Sequence, residues 1–262
     1  MIFLAQRIGS NQQGGGQGLL FKKKNIQRED DRVWVTTELK WNGIADEILR
    51  ESGNYLSVLA VAHFKKTAAE MSVQFQARNL RIKDFEEAFN FHSSELKKAT
   101  DQALIVMAER ISEFDGRMRQ LGASEMKDEE LLFIVAEHHP LPECDEALLS
   151  WMSNLPCRSR IRFYSALDEP LLKMFGAERV LDIVKRLGLD ERQYISHPLI
   201  RSAIEKAQKR IKDKATGNQR VDSMDEWFHY NLTKGAQGDG DGAPRIRILS
   251  GEGKSLLISV HP

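Results

Sequence analysis

Short apolar runs alternate with helically spaced apolar positions through the first two thirds of the chain. Tyr55–Ala62 (YLSVLAVA), Ala103–Ala108 (ALIVMA) and Leu131–Ala136 (LLFIVA) have strand length and little or no polar alternation, and Ile161–Ser165 (IRFYS) is another strand candidate. A strand covered on both faces reads this way, as in a parallel sheet. Val33–Thr36 is a further short candidate strand and Ile82–Phe89 a weaker one. Between them, Leu39, Ile44, Ala45, Ile48 and Leu49 recur at helical spacing, with Gly53 as the stop. Lys65–Asn79, Ser93–Asp101 (opened by Ser93 or Ser94 as cap) and Glu143–Asn154 supply the other helices. Alternating strands and helices require crossover connections and predict an α/β fold with a doubly wound parallel sheet.

The pattern changes after Pro170. Leu171, Leu172, Met174, Phe175, Val180, Leu181, Val184 and Leu187 mark one or two amphipathic helices closed by Gly188. His197-Pro198 opens another, with Pro at a tolerated first-turn position and Ile200, Ala203, Ile204, Ala207 and Ile211 as its stripe. Arg245–Leu249 and Ser255–Val260, separated by Gly251–Lys254, suit a terminal hairpin. The expected organisation is a flexible leader over 1–30, where glycine and glutamine dominate, and an α/β domain over 31–168. A helical extension over 169–233 and a linker with a short β tail over 234–262 complete it.

Composition narrows the function classes. Lys plus Arg equals Asp plus Glu at 38 each, so no net field draws the chain to nucleic acid or anionic lipid. The Lys22-Lys23-Lys24 triplet is a solvated charge run. The two cysteines, Cys144 and Cys157, form neither a disulfide framework nor a metal pair, which points to a reducing, cytoplasmic setting. No apolar stretch approaches the ~20 residues of a membrane-spanning helix, and the N-terminal residues make a poor signal peptide.

The segment from Arg160 to Ile211 carries Phe163-Tyr164, Leu167-Asp168-Glu169, Met174-Phe175-Gly176, Leu187-Gly188-Leu189, His197-Pro198 and Ala203-Ile204 with Ala207-Gln208. This run resembles the SecA preprotein translocase ATPase family where its second nucleotide-binding domain passes into the long scaffold helix. Upstream, Arg32-Val33-Trp34, Lys40-Trp41 and Glu47-Ile48 resemble the lead-in to that domain. Tyr55–Ala62 falls on one of its strands, and Ile134–His139 on its Glu-Arg-His stretch. The resemblance spans roughly Arg28 to Tyr230 and implies a RecA-like domain of the helicase second-motor type, with a C-terminal helical extension.

Departures from the family pattern bear on activity. The family's paired arginines, in Gly-Arg-x-Gly-Arg-Gln-Gly, would fall on Ser150–Pro156, where Trp151 and Asn154 stand instead. Such guanidiniums stabilise charge on a transferring phosphoryl group and are worth ~10³–10⁵ in rate. Of the family's Gly-Arg-Gly-Thr-Asp loop only Asp115 remains, and the sequence contains no Gly-x-x-x-x-Gly-Lys-Ser/Thr phosphate loop. The resemblance therefore implies a non-catalytic motor half without a bound cofactor, acting as an interaction module. The partner would be a protein of the translocation machinery or a second motor half. Two alternatives stay open: half of a split ATPase whose phosphate loop comes from another polypeptide, and a helicase-like nucleic-acid binder.

Individual residues invite sharper chemistry. Glu137, His138 and His139 stand at the carboxyl end of a predicted parallel strand, where such sheets place ligands, and Cys144 or Asp145 could complete a zinc site. Adjacent strand residues face opposite ways, and Glu137 and His139 coincide with the family's own polar residues, which favours a structural role. Asp115, Glu137, His139, Trp151 and Asn154 are then vestigial motor positions, without metal or catalytic duty. Cys157 beside Arg158 lacks the third group that an activated thiol needs. Trp227, Phe228 and Tyr230 form an aromatic cluster, read either as a partner-binding patch or as core.

Overall fold

The computed structural model describes residues 25–84, 102–111, 128–174, 177, 192–196, 198–232, 245–250 and 256–261. The chain begins with β1 (Ile26–Arg28) and β2 (Arg32–Trp34), followed by α1 (Thr37–Glu51) and β3 (Ser57–Ala62). Next come α2 (Lys65–Gln76), β4 (Arg81–Asp84), β5 (Gln102–Met107) and β6 (Glu130–Val135). Then follow α3 (Pro142–Met152), β7 (Arg158–Ala166), the single-turn α4 (Pro170–Lys173) and β8 (Ile195–Ser196). Helices α5 (Pro198–Lys214) and α6 (Met224–Asn231) precede an antiparallel hairpin of β9 (Arg245–Ser250) and β10 (Leu256–His261). The predicted helix at 93–101 and most of the one or two predicted after Pro170 lie outside the described residues.

The main sheet has the order β4-β5-β3-β6-β7-β2-β8, with β1 also paired to β7. Every pairing is parallel except that of β8 with β2. After β3 the chain builds β4 and β5 on one side and then β6 and β7 on the other. The strand order therefore reverses beside β3, creating a crevice at the carboxyl edge. The α/β, doubly wound parallel architecture of the sequence pattern is the architecture observed.

Burial explains the unbroken apolar runs. Val58, Ala60, Ala62, Leu132, Ile134 and Tyr164 pack under α1 and α2 against Ile44, Ile48, Met71 and Phe75. Leu59, Val61, Phe133, Val135, Ile161 and Phe163 face the opposite way, against Leu148 and Met152 of α3. Period-two geometry thus sends alternate residues of one strand into two different cores. A third cluster joins Val33, Val35 and Phe64 to Leu171, Leu172, Ile200, Ile204, Trp227 and Phe228. The helical extension shares that core with the sheet.

Local signals fix the element ends. Thr36 caps α1 by accepting from Leu39 N at 3.2 Å. Asp168, beyond β7, accepts from both Thr37 N and Thr37 Oγ1 at 2.8 and 2.7 Å, anchoring the same helix start to the sheet. Asn79, at φ 59°, reverses the chain between α2 and β4 in a region that asparagine tolerates. Gly43 lies under the Trp34 indole, where a Cβ would collide with the ring.

One boundary differs from expectation. β1 and the Glu29–Asp30 link that continues along β7 fall within the stretch 1–30 expected to be a flexible leader. Non-local bonds order them. Ile26, Gln27 and Arg28 pair with Ser159, Arg160 and Ile161, and Glu29 accepts from Arg160 and Arg162 at 2.9 and 2.6 Å. Arg162, 5% exposed, also engages Glu51 at 2.7 Å and buried Glu47, which in turn pairs with Arg32. The alternation of β7 puts Arg158, Arg160 and Arg162 on the α1 side of the sheet.

Breaking a buried ion network strands the remaining charge. Glu47→Ala is expected to lower unfolding free energy by roughly 3 kcal/mol in urea titration. Arg50→Ala, which removes an exposed pair with Glu51 at 3.3 Å, should change it by no more than about 0.5 kcal/mol.

Candidate functional site

Three segments meet at the carboxyl edge of the sheet: His63-Phe64 after β3, Ala108–Ile111 after β5 and Ala136–His139 after β6. Apolar strands bring the polar residues there because each run ends where the sheet ends. Glu137 turns back to the start of α2. Its Oε1 accepts from the backbone N–H groups of His63 and Phe64 at 3.0 and 3.1 Å, and its Oε2 from Thr67 Oγ1 at 2.7 Å. Burial raises its pKa; the Thr67 hydrogen bond and the nearby His63 and Lys40 oppose that shift.

Asp145, on the first turns of α3, is the centre of a second network. Its Oδ2 lies 2.7 Å from His138 Nδ1 and accepts from Gln208 Nε2 at 2.8 Å, while Oδ1 accepts from His139 N at 3.1 Å. His63 Nε2 approaches Oδ1 at 2.9 Å without hydrogen-bond alignment. On the far side of His138, Nε2 faces Asp31 Oδ2 at 3.5 Å, and Asp31 also pairs with Arg28 at 3.3 Å. The His138 ring stacks on Phe163 at 4.4 Å. This chain of carboxylate, imidazole and carboxylate fastens the β1–β2 link, the segment after β6, α3 and α5 to one another.

The two adjacent histidines are driven in opposite directions. Burial opposes the His138 cation, yet Asp145 and Asp31 outweigh it and push the pKa up to about 9. Burial also opposes ionisation of Asp145, but His138 and then His63 hold its carboxyl far below the ordinary range. His139 is pushed down to about 3, by burial first and the neighbouring His63 second. It is therefore neutral at physiological pH. Leu141 N donates to His139 Nδ1 at 3.0 Å, which leaves the ring proton on Nε2.

Beside these networks lies a cavity of about 580 Å³. Phe64, His139, Leu148, Trp151 and Trp227 supply apolar and aromatic walls, and Asn218–Asp222 form one side. That side is held firmly. Trp227 Nε1 donates to Asn218 Oδ1 at 2.8 Å, Asn231 Oδ1 accepts from Gln219 N at 2.6 Å, and Lys66 N donates to Asp222 O at 2.9 Å.

The expected positions divide. Glu137 and His139 converge at the edge, with His138 and Asp145. Trp151 is half-buried, edge-on to Phe133 at 6.1 Å, and lines the cavity. Asn154 instead closes the end of α3, its Nδ2 donating to Ser150 O at 2.9 Å. Asp115 lies outside the described residues. The aromatic cluster is not one exposed patch. Trp227 and Phe228 are buried in the core shared with α4 and α5, while Tyr230 is 56% exposed, because α6 presents only one face to that core. Cys144 is half-buried and Cys157 buried; burial pushes both thiols up to about 11, the neutral form. Among the described residues no group of three or more His, Cys, Asp or Glu side chains is arranged to hold a metal ion. His63 is not among the residues that the sequence pattern marks, and Gln208 enters there only within the Ala207-Gln208 pair of the family resemblance. His63 follows an apolar strand run directly, the same signal that marks Glu137–His139.

Comparison with known proteins gives consistent relatives. The chain is 26% identical over 230 residues to the protein translocase subunit SecA of Lachnoclostridium phytofermentans, a match covering 88% of this chain and 26% of the relative. It is 27% identical over 196 residues to that of Clostridium perfringens (71% and 22%) and 24% identical over 197 residues to that of Cytophaga hutchinsonii (73% and 17%). This chain is a relative of the SecA subunits. It spans no more than about a quarter of the length of these curated SecA proteins. No family model matches it. The SecA relationship and the sheet order agree on a RecA-like α/β body. No helix among the described residues is long and apolar enough to cross a membrane.

Titration of His138 yields a pH signature. A group whose folded pKa is raised stabilises fully below its unfolded pKa, ~6.5 for histidine, and loses that contribution as pH rises through the folded value. Unfolding free energy should therefore fall as pH rises from 6.5 towards 9, by at most about 1.4 kcal/mol per pH unit. His138→Gln should flatten the slope between pH 6.5 and 8.5 in urea titrations. An unchanged slope in that variant would refute the assignment.

Proposed function

We propose that this chain is a SecA-like motor half that serves protein translocation as an interaction module and does not hydrolyse ATP by itself. One observation carries the proposal. In doubly wound folds, phosphate is received by the backbone N–H groups of a helix start beyond a strand's carboxyl end. At the β3–α2 turn, the N–H groups of His63 and Phe64 are bonded to the Glu137 carboxylate, and that of Lys66 to Asp222 O. Under this reading the Glu137 carboxyl group takes up the N–H groups that a phosphate would need.

The surrounding cations give further support. Lys40 is bound to Glu169 and Ala136 O, Lys65 to Asp222 at 2.8 Å, and Arg160 and Arg162 to carboxylates on the α1 side of the sheet. Trp151 and Asn154 bring no positive charge to the places where the family resemblance puts guanidiniums. What is retained is a rigid sheet and the helical extension packed against it, features suited to docking on a protein. The partner under this reading belongs to the translocation machinery, and the chain works in a reducing, cytoplasmic setting.

The test is nucleotide titration of the purified chain, with a fluorescent ATP analogue and Mg²⁺, alongside phosphate release. The expected outcome is no saturable binding and no turnover above buffer. Turnover that a single substitution in this chain abolishes would overturn the proposal. Turnover appearing only on mixing with a polypeptide that carries a phosphate loop would replace it with the split-ATPase reading.

A further inference from the structure

The cavity at the carboxyl edge has a chemical character that neither the fold nor the relatives specify. Its aromatic contributors come from separate elements: Phe64 at the start of α2, Trp151 from α3 and Trp227 from α6, with His139 among them. His139 is stacked on Phe64 at 5.5 Å and edge-on to Trp227 at 5.7 Å, so its ring is fixed in orientation. With Nδ1 taken by Leu141 N, its only N–H is on Nε2, and the ring remains uncharged because burial and His63 push its pKa down to about 3. The donor this wall offers is therefore neutral.

The charged residues around the opening are already matched. Lys65 pairs with Asp222 at 2.8 Å, and Arg220 with Glu109 at 3.4 Å. A charged ligand entering among the aromatic walls would give up its hydration and find no unpaired counter-charge lining the cavity. An uncharged one meets no such cost. The volume, about 580 Å³, lies within the roughly 300–1,000 Å³ typical of ligand sites and has room for an aromatic side chain with backbone on either side. Aromatic anchors set in preformed pockets are the groups that dominate protein interfaces. This pocket is preformed: the wall opposite α3 is held by the Trp227–Asn218, Gln219–Asn231 and Lys66–Asp222 bonds, so little ordering is left for the moment of binding.

We infer that this cavity receives an aromatic side chain of a partner protein, in an uncharged segment whose backbone carbonyl accepts the His139 Nε2–H. The inference rests on the interaction-module reading and names the anchor through which that module binds.

N-acetyl-phenylalaninamide, an uncharged aromatic residue with amides on both sides, is the probe. It is titrated into the full chain, and binding is followed by tryptophan fluorescence and by NMR chemical shifts. Saturable binding is expected, at least tenfold weaker for N-acetyl-phenylalanine, which carries a carboxylate, and for N-acetyl-alaninamide. Ala147→Phe projects a ring into the same cavity from the exposed side of α3, so it tests occupancy without disturbing the core. That variant should keep the wild-type circular dichroism and thermal transition while losing probe affinity at least tenfold. No saturable response, equal binding of the charged analogue, or unchanged affinity in folded Ala147→Phe would each overturn the inference. The two proposals fail separately. Probe binding by a chain that also turns over ATP leaves the pocket standing and removes the non-catalytic reading. A captured partner that saturating probe does not displace removes the anchor and leaves the module.

Discussion

Asp145 is a buried carboxylate whose charge must be answered, and much of the molecule is arranged to answer it. Transfer of an isolated carboxylate to a protein interior costs several kcal/mol even after relaxation. The cost is offset here by contacts from three directions: His138 at the end of β6, Gln208 on α5, and the His139 amide where the chain leaves the sheet. His138 passes the constraint onward to Asp31, and Asp31 to Arg28 of β1. One ionised group thereby ties the first strand, a central strand and the helical extension together. The extension is consequently part of the body of the protein, with Ile200, Ile204, Trp227 and Phe228 in a core common to Val33 and Phe64.

Much of this architecture is legible in the sequence, because burial on both faces leaves a mark that needs no partner information. The runs YLSVLAVA, ALIVMA and LLFIVA become β3, β5 and β6 with ends displaced by one or two residues. The helical stripe from Leu39 to Leu49 becomes α1. What sequence reasoning loses is order imposed from a distance. Ile26–Arg28 has no apolar pattern of its own, and its strand geometry comes from β7, about 130 residues further on, and from Glu29 bridging Arg160 and Arg162. Local composition could not separate those residues from the glycine-rich stretch before them.

The site follows the same division. Glu137, His138 and His139 stand out because polar residues at the end of an apolar parallel strand lie where such sheets bind ligands. Their actual roles depend on residues that no spacing rule connects: Glu137 with Thr67, 70 positions away, and Asp145 with Gln208, 63 positions away. The contrast between His138 and His139 was equally hidden. Two neighbouring imidazoles, one held protonated and one held neutral, differ because one ring lies between two carboxylates and the other lies among aromatic rings beside His63. Trp227 and Phe228 lie in a polar stretch that suits a partner-binding patch or core alike, and the structure buries both. The stretch is polar because α6 is short and buries a single face.

The electrostatics of the carboxyl edge bear on what it can bind. A site that grips an anion keeps cations and backbone N–H groups uncommitted until the ligand arrives, and the protein bears their desolvation in the meantime. At this edge the commitments are already made. Glu137 takes the N–H groups of the β3–α2 turn, Glu169 takes Lys40, and Asp222 takes Lys65. An incoming phosphate would have to displace the Glu137 carboxyl group from these N–H groups and leave its buried Oε1 without those donors. An uncharged aromatic group requires no such displacement, since the walls it meets are rings and the donor it meets is a neutral imidazole. Trp151 adds a ring to a wall already containing Phe64, His139 and Trp227, and four rings converging from separate elements suit the crevice to aromatic contact.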